Sequence, residues 1–224
     1  MTLNSHEKPR FTGRVTASIS HEIQNVLAII KERAGLMEDL LAMGRDMSAD
    51  ALAGRLGTSL STIKTQVQRG VRLTSGLNAF AHTSDHDRIQ IDVRDMVDRL
   101  IFLTERLTRG KEIKFHALEC PKAPGLQTDP VIFQLAVHRS MECLYRVAPQ
   151  GSSIAISFSE QPGEIQIKLA LENNVIDTGA LDEDVTASAD WESLLAACEA
   201  IHGKASVLRD LPGICLAFTR QSSL

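Results

Sequence analysis

The chain has 224 residues, 43% hydrophobic and 23% charged, with a formal charge of −4. This is the composition of a globular protein with one large domain or two small ones, and a mildly acidic chain with no basic cluster argues against nucleic acid as the main partner. The four cysteines (Cys120, Cys143, Cys198, Cys215) form no Cys-x-x-Cys pair, "MTLNSHEKPRFTGR" carries no secretory signal, and no apolar run approaches the ~18 residues that span a bilayer, so a cytoplasmic protein with no membrane role is expected.

Residues 1–10 are polar and read as a flexible tail, too short for an attached sensor domain. From Phe11 to Met43 the apolar residues Ile19, Ile23, Leu27, Ile30, Ala34, Met37 and Leu41 recur every three or four positions, the period of one long amphipathic helix. "GRDMSAD" interrupts it, with Ser48 as the N-cap of a second helix over Ala49 to Ala81. That helix carries Leu56, Leu60, Ile63, Val67, Val71 or Thr74, Leu77 and Phe80. Two helices of about 30 residues make an antiparallel hairpin ~45 Å long. One hairpin cannot cover both apolar stripes, so a homodimeric four-helix bundle is expected over residues 11–84.

Residues 85–224 change texture. Ile91–Thr108 reads as a helix and "KEIKFHAL" as a strand. "DPVIFQLAVHRSMECLYRVA" reads as a helix with Asp129 at the N-cap and Pro130 at its first position. "SSIAISFSE" and "EIQIKLAL" flank a "QPGE" turn as a hairpin. A helix from Asp190 to Ile201 stops at Gly203, and "KASVLR" with "GICLAFTR" closes the chain as a hairpin about "DLPG". The fold class is α+β: the helical hairpin, then a mostly antiparallel sheet with helices on one face.

The stretch "SISHEIQNVLAII", Ser18 to Ile30, carries the chemistry. With Leu27, Ala34 and Leu41 at one core position and Ile23, Ile30 and Met37 at the other, His21 and Asn25 stack on the exposed face and Glu22 lies beside it. Neutral imidazole is a good nucleophile near pH 7 and can take a phosphoryl group on one nitrogen while the other keeps its proton. Glu22 is placed to hold that proton, and Asn25 to orient a water or the phosphoryl oxygens. A lone surface histidine is most often only a solvated residue, and the architecture around His21 is what argues otherwise.

The stretch resembles the phosphoacceptor box of bacterial sensor histidine kinases, His-Glu-hydrophobic-x-Asn-Pro-Leu. The match falls on His21, Glu22, Ile23, Asn25 and Leu27, with Val26 where the family has proline. The helical hairpin resembles that family's dimerisation and histidine-phosphotransfer domain. Residues 85–224 resemble its ATP-binding domain in layout, matching at Asp129, Pro149, Gly151 and Ile154. The family's two magnesium-holding asparagines fall at Arg139 and Cys143, or in a shifted register at His138 and Glu142. The adenine-gripping motif falls either at Glu172-Asn173-Asn174 or at Asp177-x-Gly179, with Leu181 at its second glycine. The phosphate-cradling glycines have no counterpart, and the acidic residues Asp182, Glu183, Asp184, Asp190 and Glu192 would repel a triphosphate.

The resemblance therefore implies a histidine phosphotransferase of a two-component phosphorelay. It would pass a phosphoryl group between His21 and the aspartate of a response-regulator receiver domain, with an upstream histidine kinase as a further partner. It would bind no cofactor itself, the magnesium coming from the receiver. Arg14, Ala17, Ser18, Gln24, Asn25 and Ala28 form the expected docking face, joined by Arg69, Arg72, Thr74 and Ser75 of the second helix. Ala17 and Ala28 count there for being small, and Arg69 and Arg72 equally read as solvated helix arginines. An ATP-dependent kinase, a non-catalytic adaptor and a receiver phosphatase acting through Asn25 are the other readings. His82 and His86 lack a third zinc ligand. His116 and His202 read as structural, His138 as solvent-facing, and Trp191 as a cap on the vacated nucleotide cavity or a core residue.

Overall fold

The computed structural model describes residues 3–43, 47–120, 122–172 and 178–220. Part of the expected "GRDMSAD" turn and the candidate adenine residues Asn173, Asn174 and Asp177 lie outside the described residues. Thr16–Phe80 forms one compact unit, and the chain up to Val15 together with Ala81 onward forms another. Helix α1 spans Glu7–Met43 and α2 spans Ala49–Ala81. The flexible tail expected over residues 1–10 is thus corrected from Glu7 on. Glu7 N–H donates to Asn4 O at 2.9 Å and its carboxylate stands in the first turn, where the helix dipole favours negative charge. The domain boundary moves as well, because residues up to Val15 belong with the second half of the chain.

Within the hairpin, the seam passes through Glu22, Val26, Arg69 and Gly70. Arg69 binds Glu22, and a Cβ on Gly70 would stand 3.4 Å from Val26 Cγ1. Ile19 and Leu40 share that stripe and are buried, as are Ser59 and Leu73 on α2. The heptad read from the sequence is therefore offset. Leu27 remains 59% exposed and Leu41 is exposed with it, as are Leu60, Val67 and Val71 on α2. Periodicity identifies apolar residues but not which of two adjacent stripes meets the chain's own second helix. At about 100° per residue, each exposed stripe lies roughly a quarter-turn from its seam in the same sense. Because the helices are antiparallel, that rotation carries both stripes to one side of the hairpin, away from His21.

In the other unit, the chain forms β1 (Ile89–Asp92), α3 (Val93–Thr108), β2 (Lys114–Ala117), β3 (Gly125–Thr128) and α4 (Pro130–Val147). It continues through β4 (Ser153–Gln161), β5 (Glu164–Leu171), α5 (Thr178–Thr186), α6 (Ala189–Ala200), β6 (Gly203–Val207) and β7 (Gly213–Thr219). The main sheet has the order β2-β4-β5-β7-β6, parallel at β2–β4 and antiparallel elsewhere. Alternation puts Ile154, Ile156, Ile165, Ile167 and Leu169 on its buried face, beneath α3, α4 and α6. Asp129 caps α4 as expected, accepting from Val131 N–H and Ile132 N–H at 3.0 Å each.

Two local expectations differ, and one helix was not foreseen. The helix expected from Ile91 starts at Val93, because Asp92 accepts from Asp95 N–H at 2.8 Å as N-cap and the residues before it pair with β3, a strand not foreseen. The segment over Thr178–Thr186 is helical. After α6 it is His202, not Gly203, that takes the left-handed conformation, with φ of 58°. Gly203 already belongs to β6, where an added Cβ would meet the Phe218 ring at 2.4 Å.

Gly213 is tighter still, since a Cβ there would lie 2.3 Å from Leu169 O and 2.9 Å from Ala170 Cα, both backbone atoms of the paired strand. Gly213→Ala is expected to destabilise this unit by about 1–3 kcal/mol through overpacking. A midpoint in chemical denaturation equal to that of wild type would contradict the close approach. Among the described residues, no helix is long and apolar enough to cross a membrane.

Candidate functional site

His21 lies in mid-helix on α1, exposed, three residues after Ser18 and one turn before the exposed Asn25. No hydrogen bond or ion pair to the imidazole is found among the described residues. A rigid helix presents the ring to whatever approaches from the side, and neutral imidazole needs no further activation to attack an electrophilic phosphorus.

Glu22 does not stand beside the imidazole as expected. Its side chain is turned into the α1–α2 seam, the residue is 4% exposed, and Arg69 Nη2 donates to its Oε2 at 2.5 Å. The reason is helical geometry: adjacent residues point about 100° apart, so an exposed His21 sends Glu22 toward α2. Arg69 is accordingly an interhelical ion-pair partner rather than a solvated arginine or a free docking charge.

The docking face needs two more corrections. Ser18 is buried, with its Oγ lacking a hydrogen-bond partner among the described residues, so it does not offer a polar contact to a protein docking beside His21. Arg14 is engaged by Glu142 of α4, which ties its charge to the other unit's own packing. Ala17, Gln24, Asn25 and Ala28 are exposed on α1, and Arg72, Thr74 and Ser75 are exposed on α2. The first four still surround the imidazole with short or polar side chains. His82 Nδ1 lies 2.8 Å from Asp85 Oδ2, a local pair.

The face of α4 where the kinase resemblance puts magnesium-holding asparagines is filled by an ion network. Arg139 Nη2 donates to Glu7 Oε2 at 2.7 Å, while Nη1 donates to Glu142 Oε2 at 2.7 Å and to Asp190 Oδ1 at 3.2 Å. Arg146 Nε pairs with Asp190 Oδ2 at 2.6 Å. His138 is buried, not solvent-facing, with Nδ1 3.3 Å from Glu142 Oε2 and its ring 5.3 Å from that of Phe11. Burial pushes the Glu7 and Glu142 carboxyls up, but Arg139 beside Glu7, and His138 and Arg14 beside Glu142, outweigh it, so both sit below the ordinary carboxylate range. Cys143 is buried next to Ser188, and loss of hydration drives its thiol up to about 12.

These groups do not fit a magnesium nucleotide. A guanidinium repels the metal, a protonated thiol is a poor ligand for a hard cation, and Asp190 puts a carboxylate at the N-terminus of α6, the kind of place that otherwise attracts phosphate. Sequence reasoning misses this network, because Glu7, Arg139 and Asp190 are far apart along the chain. The one available signal was Glu7 and Asp190 standing in helix first turns.

No protein-family model matches the chain, and no curated protein does. Solved structures do match. The nucleotide-free catalytic domain of the histidine kinase ThkA aligns with a TM-score of 0.51 at 10% identity, over 62% of this chain and 100% of that one. The Acinetobacter baumannii histidine kinase AdeS aligns with a TM-score of 0.49 at 12% identity, over 90% of this chain and 98% of that one. At such identities the likeness is one of fold: the chain contains a histidine-kinase-type catalytic-domain architecture, α+β as expected.

Proposed function

We propose that the chain is a histidine phosphotransferase of a two-component phosphorelay, exchanging a phosphoryl group between His21 and the aspartate of a response-regulator receiver domain. The observation that carries this reading is the pairing of an exposed imidazole on a helical hairpin with a kinase-type unit whose asparagine positions hold Arg139 and Cys143. In the exchange, the lone pair of one imidazole nitrogen attacks the receiver's aspartyl phosphate. The N–P bond forms, the acyl P–O bond breaks, and its electron pair returns to the carboxylate. The other ring nitrogen keeps its proton. This nearly isoenergetic transfer needs positioning more than acid–base power.

The chain binds no cofactor of its own in this reading. Magnesium comes with the receiver's acidic pocket, and an upstream histidine kinase charges the system. Asn25 stands one turn from the imidazole to meet the phosphoryl oxygens. The hairpin works as a homodimer.

The test follows label from phosphorylated receiver or from magnesium-ATP onto wild type and His21→Ala, held at neutral pH because phosphohistidine is acid-labile. Label from the receiver alone, absent in His21→Ala, is the expected result. Label taken directly from ATP would make the chain a kinase. No label from any of several receivers would leave a non-catalytic adaptor.

A further inference from the structure

We propose that the cavity between the first turns of α1, α3, α4 and the start of α6 binds a small aromatic carboxylate, its ring against Met141 and Tyr145 and its anionic group on Arg14 and Arg146. The cavity measures about 280 Å³, at the small end of ligand pockets, which suits one or two rings rather than a nucleoside triphosphate. It lies wholly within the α+β unit, because Arg14 belongs to the segment that packs with the second half of the chain. On α4 it is lined by the face of His138, Met141 and Tyr145, roughly a third of a turn from Arg139 and Cys143.

Depth sorts the lining by chemistry. Thr104, His138 and Met141 are buried, and the Thr104 hydroxyl is satisfied by donating to Leu100 O at 2.7 Å. The Tyr145 ring is held in place, with Lys111 Nζ 5.4 Å from its centroid and Gly110 so close that an added Cβ would stand 3.1 Å from the hydroxyl. A fixed aromatic wall beside an apolar floor favours a flat ring, packed offset or edge-on.

The outer residues are charged. The Arg14 and Arg146 side chains are 49% and 61% exposed, whereas the carboxylates they meet, Glu142 and Asp190, are 21% and 12% exposed. An anion arriving from solvent therefore meets guanidinium before carboxylate. Among the described residues, Arg14 engages Glu142 through Nη2 and Arg146 engages Asp190 through Nε, so the remaining N–H groups of each can serve a ligand. Both carboxylates also accept from Arg139, and neither is left as a bare buried charge when an outer arginine turns to a ligand. A planar carboxylate matches the paired N–H groups of a guanidinium. One negative charge suits the site better than two, because Glu142 and Asp190 stand behind the arginines.

Calorimetric titration of the full chain with benzoate and indole-3-acetate tests this, with benzamide, acetate and phenyl phosphate as comparisons. No receiver is needed, so the result stands whatever His21 accepts. Both aromatic acids are expected to bind at least about tenfold more tightly than benzamide or acetate, the effect of a hydrogen bond to a charged group together with a buried ring. Arg14→Met and Arg146→Met should each weaken benzoate about tenfold and leave benzamide unchanged. Thr108→Trp, which fills the cavity from its α3 side, should abolish binding of both acids. Circular dichroism verifies that each variant is folded.

No binding of either acid would overturn the proposal, as would benzamide binding as tightly as benzoate. Undiminished affinity in both arginine variants, or in Thr108→Trp, would place any bound acid elsewhere and overturn it too. Phenyl phosphate binding more tightly than benzoate would overturn the assignment of a carboxylate.

Discussion

Arg139→Met is expected to lower the stability of the α+β unit by about 3–5 kcal/mol at neutral pH, the usual result of removing one member of a buried ionic cluster. The guanidinium is largely buried and serves three carboxylates from three elements: Glu7 at the start of α1, Glu142 within α4 and Asp190 at the start of α6. Asp190 keeps Arg146, and Glu142 keeps Arg14 and His138, but Glu7 is left with the Ser193 hydroxyl at 3.2 Å and the more distant charge of Arg10. Loss of the first turns of α1 should accompany the drop. The pH dependence has a definite sign. Arg139 holds the Glu7 carboxyl below its ordinary value in the folded protein, so that contribution is fully present above the ordinary carboxylate value near 4.5 and is lost as pH falls through the lower folded value. The gap between wild type and Arg139→Met is therefore widest near neutrality and narrows in acid. Thermal melts at pH 7 and pH 4 measure it, and a gap that widened in acid would refute the assignment.

Glutamate at both Leu27 and Val71 is expected to convert a dimer into monomers. These residues are 59% and 60% exposed in the single chain, and they lie with Leu41, Leu60 and Val67 on one side of the hairpin. Helices of 37 and 33 residues extend about 50 Å. A second hairpin laid along that length can bury the ~1,000 Å² or more that a specific interface needs. Because His21 faces the other way, both imidazoles stay open in the pair. Light scattering and sedimentation of wild type and the double variant decide the matter, with circular dichroism to verify that the helices persist. A wild type that sediments as a monomer at high concentration would remove the bundle, and the exposed stripe would need a different partner.

The architecture was legible where local chemistry specifies it. Asp129-Pro130 announces a helix start, Pro162-Gly163 a hairpin turn, and the three-and-four spacing of α1 a long helix, because each signal acts within a few residues. What sequence left ambiguous was which neighbour each face meets. Leu27 and Val26 are both apolar and adjacent, yet Val26 enters the intrachain seam and Leu27 does not. Glu22 was placed beside His21 by sequence adjacency, whereas helical rotation hands it to Arg69 on another helix. His138 looked like a remnant on the surface and is instead packed under Phe11, which precedes it by most of the chain. The candidate site is the same kind of mixture: the imidazole is evident from its motif, while Ser18 and Arg14 read onto a docking face from which the fold redirects them, and Glu22, read as lying beside that face, turns into the seam.

The chain contains a single tryptophan and a single tyrosine. Trp191 is buried in the first turn of α6, one residue after Asp190, with its backbone N–H on the Ser188 hydroxyl at 3.2 Å. Indole emission moves to longer wavelength when water reaches the ring, so one native fluorophore reports on the ground next to the Arg139 cluster. No label has to be introduced. As carboxylates are titrated or α6 is loosened, the colour of that one emission band follows the event optically, with a lone tyrosine adding little background.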